Sequence, residues 1–177
     1  MNYGRIIPYD IANGEGIRTS LFVSGCEFHC PDCFNQESQN YDYGEEFTSL
    51  TMAEIIESIS DPKVDGLSIL GGDPLWQSPG GITTLIDLCH RVHDLGKTIW
   101  IWSGFTWEEI FPTVAQDFLN VKRVYQQELI SNCDVWVDGR FEKDKKDLRL
   151  KWRGSSNQRV IDVQKSLETG DIVLYAE

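Results

Sequence analysis

Three cysteines stand close together in the stretch GCEFHCPDCFN, at Cys26, Cys30 and Cys33. Thiolates at C-x3-C-x2-C spacing are soft donors suited to zinc or to an iron–sulfur cluster. Structural zinc sites and most clusters take four protein ligands, and no fourth cysteine lies nearby. Three readings follow. His29 makes a Cys3His zinc site, although its position beside Cys30 makes convergence on one tetrahedral ion awkward. Alternatively the thiols have no ligand role, which so tight a loop, shaped by Gly25 and Pro31, disfavours. In the third reading they hold a 4Fe–4S cluster with one iron left without a protein ligand. An open position of that kind marks a catalytic rather than a structural centre. Cys89 and Cys133, on an apolar helix stripe and at the head of an apolar strand, read as small buried hydrophobes.

The elements that must position this loop follow from hydrophobic periodicity. RTSLFVS, Arg18 to Ser24, reads as a strand running straight into the cysteines. TMAEIIESIS reads as a helix with Thr51 as N-cap and Ile55, Ile56 and Ile59 on one face. GLSIL is a short apolar strand ended by GGDP, Gly71 to Pro74, which in isolation is an ordinary strand-to-helix turn. A second helix fits GITTLIDLCHRVHDLG, with Ile82, Leu85, Ile86, Cys89, Val92 and Leu95 as its stripe and Gly96 as its stop. KTIWIWSG is a buried strand, TWEEIFPTVAQDFL a helix opened by Thr106, and CDVWVDG, RVIDV and DIVLYA are further strands. Strands alternating with amphipathic helices predict an α/β fold, a single domain over 1–177 built as a partial, open β/α barrel with a mostly parallel sheet. Ligands of such sheets bind at the carboxyl ends of strands. The cysteine loop, GGDP and WSG all fall at such ends.

Composition narrows the class of partner. The net charge of −12, from 28 acidic and 16 basic residues, repels a polyphosphate backbone and argues against nucleic acid. No apolar run approaches the ~18 residues of a membrane-spanning helix, so no membrane partner is expected. The N-terminal stretch does not read as a secretory signal, which predicts a cytoplasmic protein with reduced thiols. One local exception to the acidity is KDKKDLRLKWR, Lys143 to Arg153, readable as a solvated connection or as a docking patch for an acidic protein. His90 and His93 lie beside the helix stripe and read as structural, and Trp152 is divided between packing and a partner anchor.

Cys26, Cys30, Cys33 and the aromatic Phe34 that follows them resemble the signature of radical S-adenosylmethionine enzymes, and GGDP resembles the glycine-rich element of that superfamily. NGEGIRTSLFVSGCEFHCPDCFN, GGDPL, IWIWSGF, VDGRF and WRGSSNQRVIDV together resemble the activating proteins of anaerobic (class III) ribonucleoside-triphosphate reductases over nearly the whole chain. RGSSNQR is the most discriminating segment. Glu15 stands where proline is expected, and Asp32 where glycine is common.

The resemblance implies an enzyme whose 4Fe–4S cluster is held by Cys26, Cys30 and Cys33 and whose open iron chelates S-adenosylmethionine. It further implies reductive cleavage to a 5′-deoxyadenosyl radical, which takes a hydrogen from a glycine of the partner reductase. Asp32, Cys33 and Phe34 would lie along the cofactor, with Phe34 near the adenine. Gly71, Gly72 and Asp73 would meet its methionyl end, two glycines allowing close backbone approach to a small zwitterion. Ser103 would reach a polar group of the cofactor. An electron donor such as flavodoxin or ferredoxin is implied as a second partner. The alternatives are an activase for another glycyl radical enzyme, of the pyruvate formate-lyase type, and a non-catalytic zinc-binding module.

Overall fold

The structure, a computed structural model, describes residues 1–112 and 120–176. Eight strands form one sheet: β1 (Asn2–Asp10), β2 (Arg18–Val23), β3 (Glu45–Glu46), β4 (Gly66–Gly71), β5 (Thr98–Trp102), β6 (Val135–Asp138), β7 (Arg159–Asp162) and β8 (Leu174–Ala176). Their order is β3-β1-β2-β4-β5-β6-β7-β8. The described helices are α1 (Ser49–Ile59), α2 (Pro79–Asp94), α3 (Trp107–Ile110), α4 (Val121–Ser131) and α5 (Val163–Thr169).

The α/β class holds, but the sheet is mixed rather than mostly parallel. β2, β4, β5 and β6 run parallel. β1 and β3 on one side, and β7 and β8 on the other, pair antiparallel. The reason lies in the connections. Parallel neighbours need a crossover, and α1 and α2 supply two of them. β1 returns into β2, and β6 into β7, without a helix to carry the chain across the sheet, so these strands reverse. The pairing order is that of an open sheet with ends at β3 and β8.

Alternation along the parallel strands sorts two faces. Leu21, Val23, Leu67, Ile69, Ile99, Ile101 and Trp136 point to the helices and form the main core with Ile55, Ile59, Ile82, Leu85, Leu88, Cys89 and Val92. Trp100, Val135, Val137 and Val160 make a smaller cluster on the opposite face, with Trp102 and Trp152 packed against it. Burying a Leu- or Ile-sized side chain stabilises by about 1.5–3 kcal/mol, so the helix face supplies most of the fold's apolar stabilisation. The other face is left free to carry a cavity.

Local details depart from expectation. α1 is capped by Thr48, not Thr51: Thr48 Oγ accepts from Thr51 N, and Thr51 Oγ accepts from Thr48 N. A capping box needs its cap three residues before the reciprocating side chain, and Thr51 is that later member. α2 starts at Ser78 and Pro79 and ends before Gly96, whose φ is +69°. Leu95 lies off its stripe and is exposed. The helix expected over TWEEIFPTVAQDFL begins at its Thr106 cap, but only its first turn, α3, is described before Pro112, and residues 113–119 lie outside the described residues. β1, α4 and α5 have no counterpart in the expectations. β1 and α4 have weak amphipathic patterning, and α5 follows directly on the strand RVID.

Candidate functional site

The parallel strands β2, β4, β5 and β6 end on the same side, and their terminal loops meet there. Gly72 N donates to Val23 O at 2.7 Å, and Asp73 N donates to Gly25 O at 2.8 Å. The cysteine loop and GGDP are therefore stitched to each other through backbone bonds. Gly71 has φ +106°, in the region that favours glycine. A β-carbon at Gly72 would lie 2.6 Å from the carbonyl oxygens of both Gly25 and Ser38, so only glycine fits.

Cys26, Cys30 and Cys33 line one cavity of about 640 Å³ together with Phe34, Gly71, Gly72, Asp73, Ser103 and Gly104. All three thiols are free and partly exposed. Burial, aided by Asp73, pushes the Cys26 thiol up to about 12, and burial raises Cys30 as well. A cationic metal held by these sulfurs would reverse that preference, since a coordinating thiol is deprotonated outright. Among the described residues, no three His, Cys, Asp or Glu side chains gather around a point that one metal ion would fill. The three cysteine thiols share one cavity wall, the donor set that a cluster with each cysteine on a different iron would use. His29 is exposed, and its Nδ1 lies 3.2 Å from Gln39 Oε1, not among the cysteines.

Asp73 and Ser103 meet each other. The Asp73 carboxylate is fully buried and accepts from Leu75 N at 2.8 Å, from Ser103 Oγ at 3.0 Å and from Gly104 N at 2.7 Å. Burial raises its pKa to about 6 against the pull of these bonds. The Ser103 hydroxyl proton is thereby committed to Asp73. The pair joins the loop after β4 to the loop after β5, and Gly71 and Gly72 present backbone to the cavity beside it. Asp32 is exposed, has φ +56° and pairs with Lys143 at 2.6 Å. The left-handed backbone there accounts for the glycine expected at this position.

Phe34 is 60% exposed at the cavity wall. Its ring meets Phe141 edge-on at 5.2 Å, and Lys146 Nζ sits 4.8 Å above it. The loop between β1 and β2 contributes Ala12 and Asn13 to the cavity lining. Buried Asp10 accepts from Ala12 N, Asn13 Nδ2 and Ser20 Oγ, which brings Ala12 and Asn13 to the cavity. Arg18, whose pKa is lowered to about 10 by burial, bonds Ser68 Oγ, Leu67 O and Thr98 O beneath it. Glu15, the other departure from the family pattern, accepts from the Tyr175 hydroxyl of β8.

Several lining residues escaped the sequence reading. Arg5 lies over the Phe22 ring at 4.2 Å, and Phe141, Gly154 and Gln158 form a side wall. The signals were present for the last three, since VDGRF and RGSSNQR were singled out as segments, but nothing local says which residues face a cavity. Trp152 is a packing residue. Its ring meets Trp100 at 4.8 Å, and its carbonyl accepts from Trp102 Nε1 at 2.7 Å.

The comparisons with known proteins agree with this geometry. A family model described as a 4Fe-4S single cluster domain matches residues 12–161. The anaerobic ribonucleoside-triphosphate reductase-activating protein of Escherichia coli K12 is 37% identical over 164 residues, covering 90% of this chain and 97% of the relative. Its namesake from Pasteurella multocida is 39% identical over 162 residues, covering 89% of this chain and 95% of the relative. That of Enterobacteria phage T4 is 37% identical over 161 residues, covering 90% and 93%. The chain belongs to this family of reductase-activating proteins. The family model supports a 4Fe–4S cluster as cofactor, and the zinc-module alternative is not favoured. Among the described residues no helix is long and apolar enough to cross a membrane.

Proposed function

We propose that this protein activates an anaerobic ribonucleoside-triphosphate reductase by generating a glycyl radical on it, using S-adenosylmethionine. The single observation that carries the reading is the backbone stitching of the cysteine loop to GGDP, which puts a three-thiolate donor set and a double-glycine backbone on one cavity. When bound, the 4Fe–4S cluster supplies the electron that cleaves the sulfonium and an open iron for the amino acid end of the cofactor. Cys26, Cys30 and Cys33 hold that cluster. Gly71 and Gly72 offer close-approach backbone to the methionyl group, and Asp73 holds that turn in place while remaining committed to Ser103 and Gly104. Phe34 and Phe141 form the apolar side of the cavity, which bound cofactor would cover. Asp32 stands at the rim beside Lys143.

Electrons come from a small transfer protein of the flavodoxin or ferredoxin kind. The basic run Lys143 to Arg153 lies at the rim, where Asp147, Leu148 and Leu150 line the cavity mouth. Reversing the charge of Lys145 and Lys146 is expected to slow reduction at low salt. Equal rates remove the run from that role.

The deciding experiment is anaerobic reconstitution with iron and sulfide, followed by mixing with S-adenosylmethionine, reductant and the reductase. Expected are cluster absorbance, 5′-deoxyadenosine, and a glycyl radical by electron paramagnetic resonance. Cys30→Ala is expected to abolish cleavage with the fold intact by circular dichroism. Cleavage at the normal rate in that variant discards the three-thiolate assignment.

A further inference from the structure

The segment Trp152 to Arg159, WRGSSNQR, has no role in the chemistry above, yet it holds a dense set of internal hydrogen bonds. Their hub is Gln158. Its Oε1 accepts from Gly154 N at 2.8 Å and from Ser155 N at 3.1 Å, and its Nε2 donates to Gly139 O at 2.9 Å. Arg153 Nη1 donates to Gln158 O at 2.9 Å. One amide side chain therefore ties a loop turn to the end of β6, where Gly139 has φ +91°. Two further bonds extend the brace: Glu142 N donates to the buried Ser155 Oγ at 3.1 Å, and Asn157 Nδ2 donates to Arg140 O at 2.8 Å. Ser156 N also donates to Lys145 O at 2.9 Å, beside the Lys146–Ser155 bridge.

The brace has one consequence at the cavity. Gly154 is pressed into the corner between two rings, so that a β-carbon there would lie 2.9 Å from Phe34 and 3.0 Å from Phe141. Gly154 sets where both rings can sit, and Gln158 sets where Gly154 sits. The four residues line the same cavity as the cysteines. A half-buried apolar ring without such support adopts several rotamers, and binding must then restrict them at a cost in affinity.

We infer that Gln158 is a positioning residue for the cofactor: acting through Gly154, it holds Phe34 and Phe141 as a preformed wall for the flat, apolar-faced adenine end. The inference rests on the reading of the cavity as the S-adenosylmethionine site. It assigns RGSSNQR an internal role, so that the segment is a brace and not a docking surface.

The test compares reconstituted wild type with Gln158→Ala, Gln158→Glu and Gly154→Ala. Three quantities are measured: iron and sulfide per chain, Tm, and the S-adenosylmethionine Kd from the change it causes in the reduced cluster's paramagnetic resonance spectrum. Gln158→Ala is expected to keep its cluster and to raise Kd about tenfold, the scale of re-ordering two loosened side chains on binding. Gln158→Glu keeps the acceptor for Gly154 and Ser155 but loses the donor to Gly139, and so is expected to fall between. Gly154→Ala, at a position without positive φ, is expected to raise Kd with little change in Tm. A purely architectural role predicts a lower Tm and an unchanged Kd in Gln158→Ala, and that result overturns the proposal. Should Gln158→Ala not fold, a wild-type Kd in Gly154→Ala overturns it equally.

If wild type itself shows no spectral change with S-adenosylmethionine, the cavity assignment fails rather than the brace. Tryptic cleavage at Lys143, Lys145, Lys146 and Arg149 then decides the brace without cofactor. Faster cleavage in Gln158→Ala supports it, and an unchanged rate discards it.

Discussion

Two walls of the cavity are built in opposite ways. The strand-end wall, Gly71 to Asp73 with Ser103 and Gly104, is organised by a fully buried carboxylate whose partners are a hydroxyl and backbone N–H groups. The side wall, Phe141 with Gly154 to Gln158, is organised by a neutral amide and edged by exposed ion pairs. These are Lys143–Asp32 at 2.6 Å, Lys145–Glu142 at 2.8 Å and Arg149–Asp147 at 2.8 Å. Exposed pairs of this kind are screened by solvent and add little to stability. The first wall belongs to the sheet and cannot move without breaking it. The second is the return between β6 and β7, held to the sheet by hydrogen bonds around Gln158 and Ser155 rather than by strand pairing of its own.

The sharpest way to break the comparison is Asp73→Ala. It strands the Ser103 hydroxyl and two N–H groups in a buried site, at roughly 1–3 kcal/mol for each group left without a partner. A drop of several degrees in Tm is expected before any cofactor is added, against a small drop for Gln158→Ala. Similar losses in the two variants would erase the distinction between the walls. Next in size is Gly72→Ala, whose β-carbon meets two backbone carbonyls that cannot yield. Overpacking of that kind costs about 1–3 kcal/mol, read as a lower urea midpoint, with weakened S-adenosylmethionine binding.

Acid should separate the walls by sign. Burial raises the Asp73 carboxyl in the folded state to about 6, above its ordinary value of 3.8. Below pH 6 the native state takes up the proton first, so this group's contribution makes the fold more stable as pH falls from 6 toward 3.8. Glu108 behaves oppositely. The Arg159 guanidinium, which anchors the end of the side wall through Glu108 and Asp138, holds its carboxyl down to about 2 from 4.5. Its stabilisation is present above pH 4.5 and is lost as pH falls toward 2. Urea midpoints measured across pH should therefore flatten below pH 4.5 in Glu108→Gln and lose their rise below pH 6 in Asp73→Asn. The smallest effect expected is that of Lys143→Ala, a shift in Tm close to zero, because its partner Asp32 is solvated.

Much of the site was legible in residue types. The cysteine spacing, the double glycine and the strand-end placement of both carry their chemistry on the surface of the sequence, and Cys26, Cys30, Cys33, Gly71 and Gly72 all line one cavity. Ser103 and Asp73 were legible as site residues but not in their partnership, because the two lie 30 positions apart and only the parallel register of β4 beside β5 makes them neighbours. The antiparallel ends of the sheet were harder still. β1 has a weak alternation, and the return from β6 to β7 carries no helical signal to announce or exclude a crossover.

The sequence by itself determined the candidate thiolates and their spacing, the order of strands and helices along most of the chain, and the family. These depend on ligand chemistry, on periodicity and on neighbours within a few residues. Only the tertiary structure decided that the sheet is mixed, that Asp73 binds Ser103 and Gly104, and that RGSSNQR is a wall. Each of those outcomes turns on which distant groups satisfy one another's hydrogen bonds once water is excluded, and spacing along the chain carries no record of that choice.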